Sequence, residues 1–449
     1  MHTDFLKKEF EKYSDITALI FGETSYSYKS LLENINFRKE NLSQNYGIGS
    51  GTTAALEGDF SFNSISIFLA LAELGCITVP LNYGNRKNRN ELLEISKPEI
   101  VISVNENDQV DITNNDDYNR HELIEILRKR KHPGLILFSS GTSGKPKAAA
   151  HDFTGLLKKF ETKREAYITL NFLLFDHWGG LNTLFHTLSN GGTVVTVSER
   201  TPDYICSLIE RHRVELLPSS PTFLNLLLIS EAYKRHDLSS LKIISYGTEP
   251  MSESTLKSLN KIFAGVKFRQ TYGLIEVGVL RTRSKEDGSL WLKLGGEGFD
   301  VRVSENVLEI KSDSAILGYL NYPAPFTSDG YFITGDYAET DGEYYRIIGR
   351  KSDLINIGGE KVFPAEIENV IRDIENVAEV QVYGEKNPIT GNIICANVSL
   401  IRPEDKVKFR SRLKKFCRER LQEFKIPTKI NIVESINVSE RFKKKHIQN

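Results

Sequence analysis

The residues with the clearest chemistry form one run, Ser139-Ser140-Gly141-Thr142-Ser143-Gly144-Lys145-Pro146-Lys147. Glycines let the backbone approach an anion closely, and successive N–H groups can close around it as a nest. The hydroxyls add donors and Lys145 adds a point charge, so phosphate is the natural ligand. The run is not a Walker A loop. That motif needs four residues between its first glycine and Gly-Lys-Ser/Thr, whereas Gly141 and Gly144 are closer together and Pro146 follows the lysine. The plain alternative is a Ser/Gly-rich surface turn, and the motifs further along the chain argue against it.

Other stretches add chemistry. Asn171 to Gly180 ends an apolar strand in a turn bearing Asp176, His177, Trp178 and Gly179. A lone histidine is usually bonded to backbone, so structural and substrate-facing roles are both open here. Leu241 to Met251 runs as a strand into the turn Tyr246-Gly247-Thr248. Nucleotides bind at such carboxyl ends of strands in open sheets, and a simple strand–helix turn is the alternative. Thr271-Tyr272-Gly273-Leu274-Ile275-Glu276 brings a carboxylate behind a glycine turn. Asp336 ends the stretch from Ser328, and its two acceptor oxygens suit a vicinal diol. Arg350 adds a cation, and Lys443, Lys444 and Lys445 lie near the end, where a solvated basic tail is the plain reading.

In this order the motifs resemble those of the acyl-adenylate-forming superfamily, which holds acyl- and aryl-CoA synthetases, adenylation domains of nonribosomal peptide synthetases and firefly-type luciferases. The resemblance extends from about residue 20 to the end. It implies that Ser139, Ser140, Gly141, Thr142, Ser143, Gly144 and Lys145 cradle the phosphates of ATP. Tyr246, Gly247 and Thr248 would form the adenine turn, with Thr271, Tyr272 and Gly273 beside it and Tyr272 packed on the purine. Glu276 would ligate Mg²⁺, Asp336 would bind both ribose hydroxyls, and Arg350 would touch ribose or phosphate. His177, Asp176, Trp178 and Gly179 would line the carboxylic-acid pocket, with Trp178 as a wall. Ser352 stands at the hinge, where the family usually has Asp or Lys. Gly358-Gly359 would face the thiol channel after the small domain rotates. Lys443 takes the place of the catalytic lysine, with Phe442 where glycine is usual and Lys444 in reserve. Ile275 replaces a threonine whose hydroxyl often reaches the α-phosphate, a loss that Thr271 would offset.

The activity implied is ATP-dependent conversion of an acyl or aryl acid to acyl-AMP with release of pyrophosphate. Thioester formation would follow on coenzyme A or on the phosphopantetheine of an acyl carrier protein. Phe175-Asp176 mimics a pair that holds the α-amino group in peptide synthetases, but the next residues do not continue that pattern, which favours an acid without an amino group. An amino-acid adenylation enzyme, with Asp176 holding the ammonium group, is the second reading, and a nucleotide-binding relative without catalysis is the third, suggested by Ile275 and the irregular Lys443 segment.

These residues need a scaffold. Gly134 to Phe138 is a short β-prone run leading into the phosphate loop. Phe62 to Gly75 is an apolar helix ended by glycine, and Ile77-Thr78-Val79-Pro80-Leu81 is a strand. Residues 103–119 are Asn/Asp-rich and read as a loop. Alternating strands and helices predict a layered α/β fold with mostly parallel sheets. Residues 1–350 would form the large domain. Residues 351–449 would form a small mobile α+β domain in the order helix, strand, strand, helix, strand, its second helix spanning Glu404 to Phe424, with a basic face read as solvated.

The chain has 449 residues, 40% hydrophobic and 26% charged, which allows more than one core. Its net charge of −1 offers no field for nucleic acid. Cys76, Cys206, Cys395 and Cys417 are scattered, which argues against a disulfide framework or zinc site. The N-terminus has no charged-then-apolar leader and no stretch is apolar enough to span a membrane, so cytoplasmic operation is expected.

Overall fold

The computed structural model describes residues 3–83, 88–115, 118, 121–140, 145–286 and 288–436. Two seven-stranded sheets form its main layers. The first is ordered Lys267–Gln270, Ile243–Tyr246, Leu216–Ser219, Ile168–Leu170, Thr193–Val195, Thr17–Phe21 and Thr24–Ser27. All its neighbours are parallel except the last pair. The second contains a parallel centre of Gly134–Ser140, Ile77–Asn82, Thr53–Gly58 and Ile100–Val104, flanked by antiparallel strands. A third, six-stranded sheet between Arg281 and Arg350 is antiparallel. The parallel pattern therefore belongs to the two large sheets.

Two helices lie in the shared core of the large sheets. Phe62–Leu74 begins where Ser61 accepts from the Ser64 N–H and ends at Gly75 in the left-handed region, φ 75°. It is buried from Ser64 to Ala72 because sheets cover it on both sides. Trp178–Ser189 packs against the same aromatic group, with Phe68, Phe153 and Phe185 in mutual contact.

The segment read as a loop contains a strand. Val110–Asn114 pairs antiparallel with Ile100–Val104. An edge strand needs only one covered face, and Val110 and Ile112 supply it while Asp111 and Thr113 face water. Asp108 also acquires a role, accepting from Ser61 Oγ at 2.5 Å and from the Asn63 N–H at the start of the buried helix.

Residues beyond Lys351 have their own core, from Ile355 to Ile430. Its order is helix Pro364–Arg372, strands Val377–Asn387 and Gly391–Leu400, helix Lys406–Arg418 and strand Lys429–Val433. The second helix is shorter than expected. It ends where the N–H groups of Arg420 and Leu421 both turn back to the Cys417 carbonyl. Ser352 lies in the exposed turn Lys351–Asp353 that joins this unit to the antiparallel sheet.

Candidate active site

The phosphate-loop run is held by an antiparallel pair, Gly134–Ser140 and Pro146–Asp152, with Ser139 opposite Lys147 and Ser140 opposite Pro146. Gly141, Thr142, Ser143 and Gly144 lie outside the described residues, and Lys145 is exposed. Asn321 fixes the returning strand. Its Oδ1 accepts from the Ala148 N–H at 3.0 Å and its Nδ2 donates to the Pro146 carbonyl at 2.9 Å. The Lys147 ammonium rests over the rings of Tyr319 and Tyr322, 5.6 and 5.2 Å from their centroids.

Tyr319 connects this base to the expected metal carboxylate. Its hydroxyl donates to Glu276 Oε1 at 2.7 Å. Glu276 sits at the bend between the short strands Gly273–Leu274 and Gly278–Val279, and its carbonyl accepts from the Ile316 N–H. Behind the bend, the buried ring of His151 faces the backbone of Ile275 and Ser314. Burial pushes its pKa down to about 4, so the ring is neutral at pH 7.

The same hairpin reaches the expected ribose carboxylate. Tyr272 donates its hydroxyl to Asp336 Oδ2 at 2.6 Å, and Arg350 Nε lies 3.1 Å from Asp336 Oδ1. Asp336 is 5% exposed. Burial pushes its pKa up, opposed by the Arg350 charge and the Tyr272 bond. Burial and the Asp336 charge in turn hold the Tyr272 phenol well above its ordinary value. Glu276, Tyr272, Asp336 and Arg350 thus lie along one rim.

The turn expected to hold adenine is built differently from its expected form. Tyr246 is 2% exposed and belongs to the core beneath the sheet, so its phenol does not border a purine. Gly247 is required sterically, because a Cβ there would lie 2.4 Å from Thr271 Oγ1. The Thr271 hydroxyl donates to the Tyr246 carbonyl at 3.1 Å. That bond ties the two turns together and gives Thr271 a task other than replacing the hydroxyl lost at Ile275. Thr248 is exposed, with a left-handed φ of 72°.

In the acid-side turn, His177 caps the Trp178–Ser189 helix, its Nδ1 accepting from the Gly179 N–H at 3.1 Å. Neutral His177 therefore carries its proton on Nε2. Trp178 is 1% exposed and packs against Phe153 and Phe160, which puts the indole in the core behind the pocket surface. Asp176 is buried, and its charge acts on Asp59, which has Arg200 at 3.8 Å. Gly179 is half-buried at the helix start. Gly358 and Gly359 make an exposed turn with left-handed φ values of 58° and 97°, which glycine adopts without strain. Lys443 and Lys444 lie outside the described residues.

Sequence reasoning missed the roles of Tyr319, Asn321 and His151. Each acts on a motif far away in the chain, and no local spacing marks such a residue.

Comparison with known proteins identifies the family. Residues 6–294 match the AMP-binding enzyme family, and residues 366–443 match the AMP-binding enzyme C-terminal domain. The chain belongs to this family. An indoleacetate–CoA ligase of Aromatoleum aromaticum is 30% identical over 294 residues, which are 59% of this chain and 57% of that protein. A 2-succinylbenzoate–CoA ligase of Listeria monocytogenes is 24% identical over 97% of this chain and 96% of its own length. Of the curated relatives compared, the first two are matched over 57% and 61% of their lengths. Among solved structures, an anthranilate CoA ligase in complex with anthranoyl-AMP superposes with a TM-score of 0.83 at 18% identity, covering 99% of this chain and 95% of its own. An ATP-bound structure from Rhodopseudomonas palustris gives 0.81 at 21% identity, covering 98% and 97%. Both share the fold. Among the described residues no helix is long and apolar enough to cross a membrane.

Proposed function

We propose that the protein is an AMP-forming acid–thiol ligase. The observation that carries this reading is the continuous rim from the phosphate-loop base through Lys147, Tyr319 and Glu276 to Tyr272, Asp336 and Arg350. A loop suited to phosphates, a carboxylate, and a second carboxylate suited to a diol follow one another along this rim. In the first step a carboxylate oxygen of the acid attacks the α-phosphorus of ATP, and the bond to pyrophosphate breaks. In the second a thiolate attacks the acyl carbon, and AMP leaves. Positioning and charge stabilisation supply most of the catalysis. His177 would face the acid through Nε2, Asp336 would exchange its Arg350 contact for ribose hydroxyls, and Lys443 would bridge the reacting oxygens.

Mg²⁺ fits this site. It typically rests on one or two carboxylates together with substrate phosphates, and Glu276 is one such ligand. Bound there, the ion would neutralise triphosphate charge. Among the described residues no cluster of three or more His, Cys, Asp or Glu forms a complete protein metal site. Coenzyme A is the thiol supported by the ligases named above, a carrier-bound phosphopantetheine is the alternative acceptor, and the exposed Ser352 turn would be the hinge. The four cysteines are free and buried, which suits a reducing cytoplasm.

The test is pyrophosphate release from MgATP with a panel of fatty, aryl, dicarboxylic and amino acids, before and after adding coenzyme A. Acid-dependent release followed by a coenzyme A thioester supports the proposal. ATP binding without release from any acid would favour the non-catalytic reading.

A further inference from the structure

The Trp178–Ser189 helix is buried at every position except Gly179, Asn182 and His186, which are half-buried. Their spacing of three and four places them on one stripe. We take this half-buried stripe, ~10 Å long from Gly179 to His186, as the floor of a groove that starts at the His177 cap. The strand Gly278–Val279, two residues beyond Glu276, lies across from it, joined to Asn182 through Lys159.

Its far end is cationic. Lys159 donates to Asn182 Oδ1 at 2.6 Å and to the Val279 carbonyl at 3.2 Å, bridging the two walls. The charges of Arg164 and Arg281 act on Lys159, and those of Lys159, Arg164 and Arg269 act on His186. Among the described residues none of Lys159, Arg164, Arg269 and Arg281 forms an ion pair with a carboxylate. The neighbouring acids are committed elsewhere: Glu165 to the Tyr167 hydroxyl, and Glu215 to Lys242 and the Ile168 N–H. Burial, then Arg281 and Arg164, push the Lys159 ammonium down to about 8. It still carries its charge at pH 7, in a place that is costly without a counter-ion.

We propose that the acid substrate bears a second carboxylate, remote from the one that is adenylated, which binds Lys159 and the Asn182 amide. The inference rests on the ligase reading, because it assumes that the reacting carboxylate lies at the His177 end. It restricts the substrate to dicarboxylic acids whose groups are ~7–14 Å apart, the rise from the His177 cap to the Asn182–His186 stretch.

The experiment compares α,ω-dicarboxylic acids from succinate to dodecanedioate, and terephthalate, each with the monocarboxylic acid of equal length. Binding is read by calorimetry in the presence of AMP, which needs no turnover, and pyrophosphate release is read separately. Diacids of intermediate length should bind about 10- to 100-fold more tightly than their monoacid partners, as expected for one charge-assisted contact. Lys159→Met should remove that preference, so that diacids bind no more tightly than monoacids, while ATP binding stays unchanged. Lys159→Gln keeps a hydrogen-bond donor and should retain part of it, and melting temperatures check that both variants fold. Equal binding of diacids and monoacids, no binding by any diacid, or a Lys159→Met effect confined to coenzyme A overturns the proposal. Diacid-selective binding without pyrophosphate release would leave this inference standing and count against the ligase reading.

Discussion

The nucleotide rim and the acid groove handle charge in opposite ways. On the rim each carboxylate has a protein donor: Tyr272 and Arg350 for Asp336, Tyr319 for Glu276. Beside the helix stripe, Lys159 has two neutral acceptors, Asn182 and the Val279 carbonyl, and no carboxylate partner among the described residues. A nucleotide is large and meets many groups, so its site can be held in shape by internal bonds that rearrange on binding. A small acid offers few contacts, and a cationic end left without a counter-charge converts one missing anion into specificity. On the proposed reading the rim holds the chemistry common to the family, and the groove selects the acid.

The largest effect is expected at the lysine to which the resemblance gives the catalytic place. Lys443→Ala should reduce acid-dependent pyrophosphate release ~100- to 1,000-fold, as for loss of one group that stabilises transition-state charge. ATP binding by calorimetry should stay near wild type, and Lys444→Ala should be nearly silent. Unchanged release in the Lys443 variant would sink the assignment.

Asp336→Asn comes next. It removes the charge that Arg350 meets and one acceptor for a diol, and should weaken ATP binding about 10- to 50-fold. The preference among acids should not move. A shift in acid preference would show that rim and groove are coupled and break the contrast.

Tyr319→Phe deletes only the donor to Glu276. A several-fold, roughly 3- to 10-fold, loss in kcat with little change in melting temperature is expected. Normal kcat would mean that Glu276 needs no such support.

The smallest effect concerns stability in acid. His151 and His186 both have folded pKa values pushed down from 6.5 to about 4, mainly by burial. Between those values the unfolded chain binds more protons than the native one, so stability falls as pH falls from 6.5 towards about 4. His151→Gln should flatten that acid limb in urea titrations across the window, and an unchanged slope would show that His151 is not the group responsible.

Much of this was legible in the chain. The Ser139–Lys147 run, the Tyr272-Gly273 turn with Glu276, and Asp336 are local patterns, because a phosphate nest or a strand-end carboxylate is made by neighbouring residues. The buried Phe62–Leu74 helix followed equally from its apolar run and terminal Gly75. Val110–Asn114 was hidden because its polar neighbours resemble a loop, although its two-residue alternation suits an edge strand. Tyr246 and Trp178 were read towards the ligand because sequence marks their place on a turn but not the side on which the core lies.

The sequence by itself determined the order of motifs and hence the family, since those signals depend on spacing within a few residues. Tertiary structure alone decided that Tyr319 supports Glu276 across 43 positions. It likewise brought Lys159 to Asn182 and Val279. Such partnerships join residues whose separation along the chain carries no periodic signal, and only packing of the helix, the hairpin and the two sheets makes them neighbours.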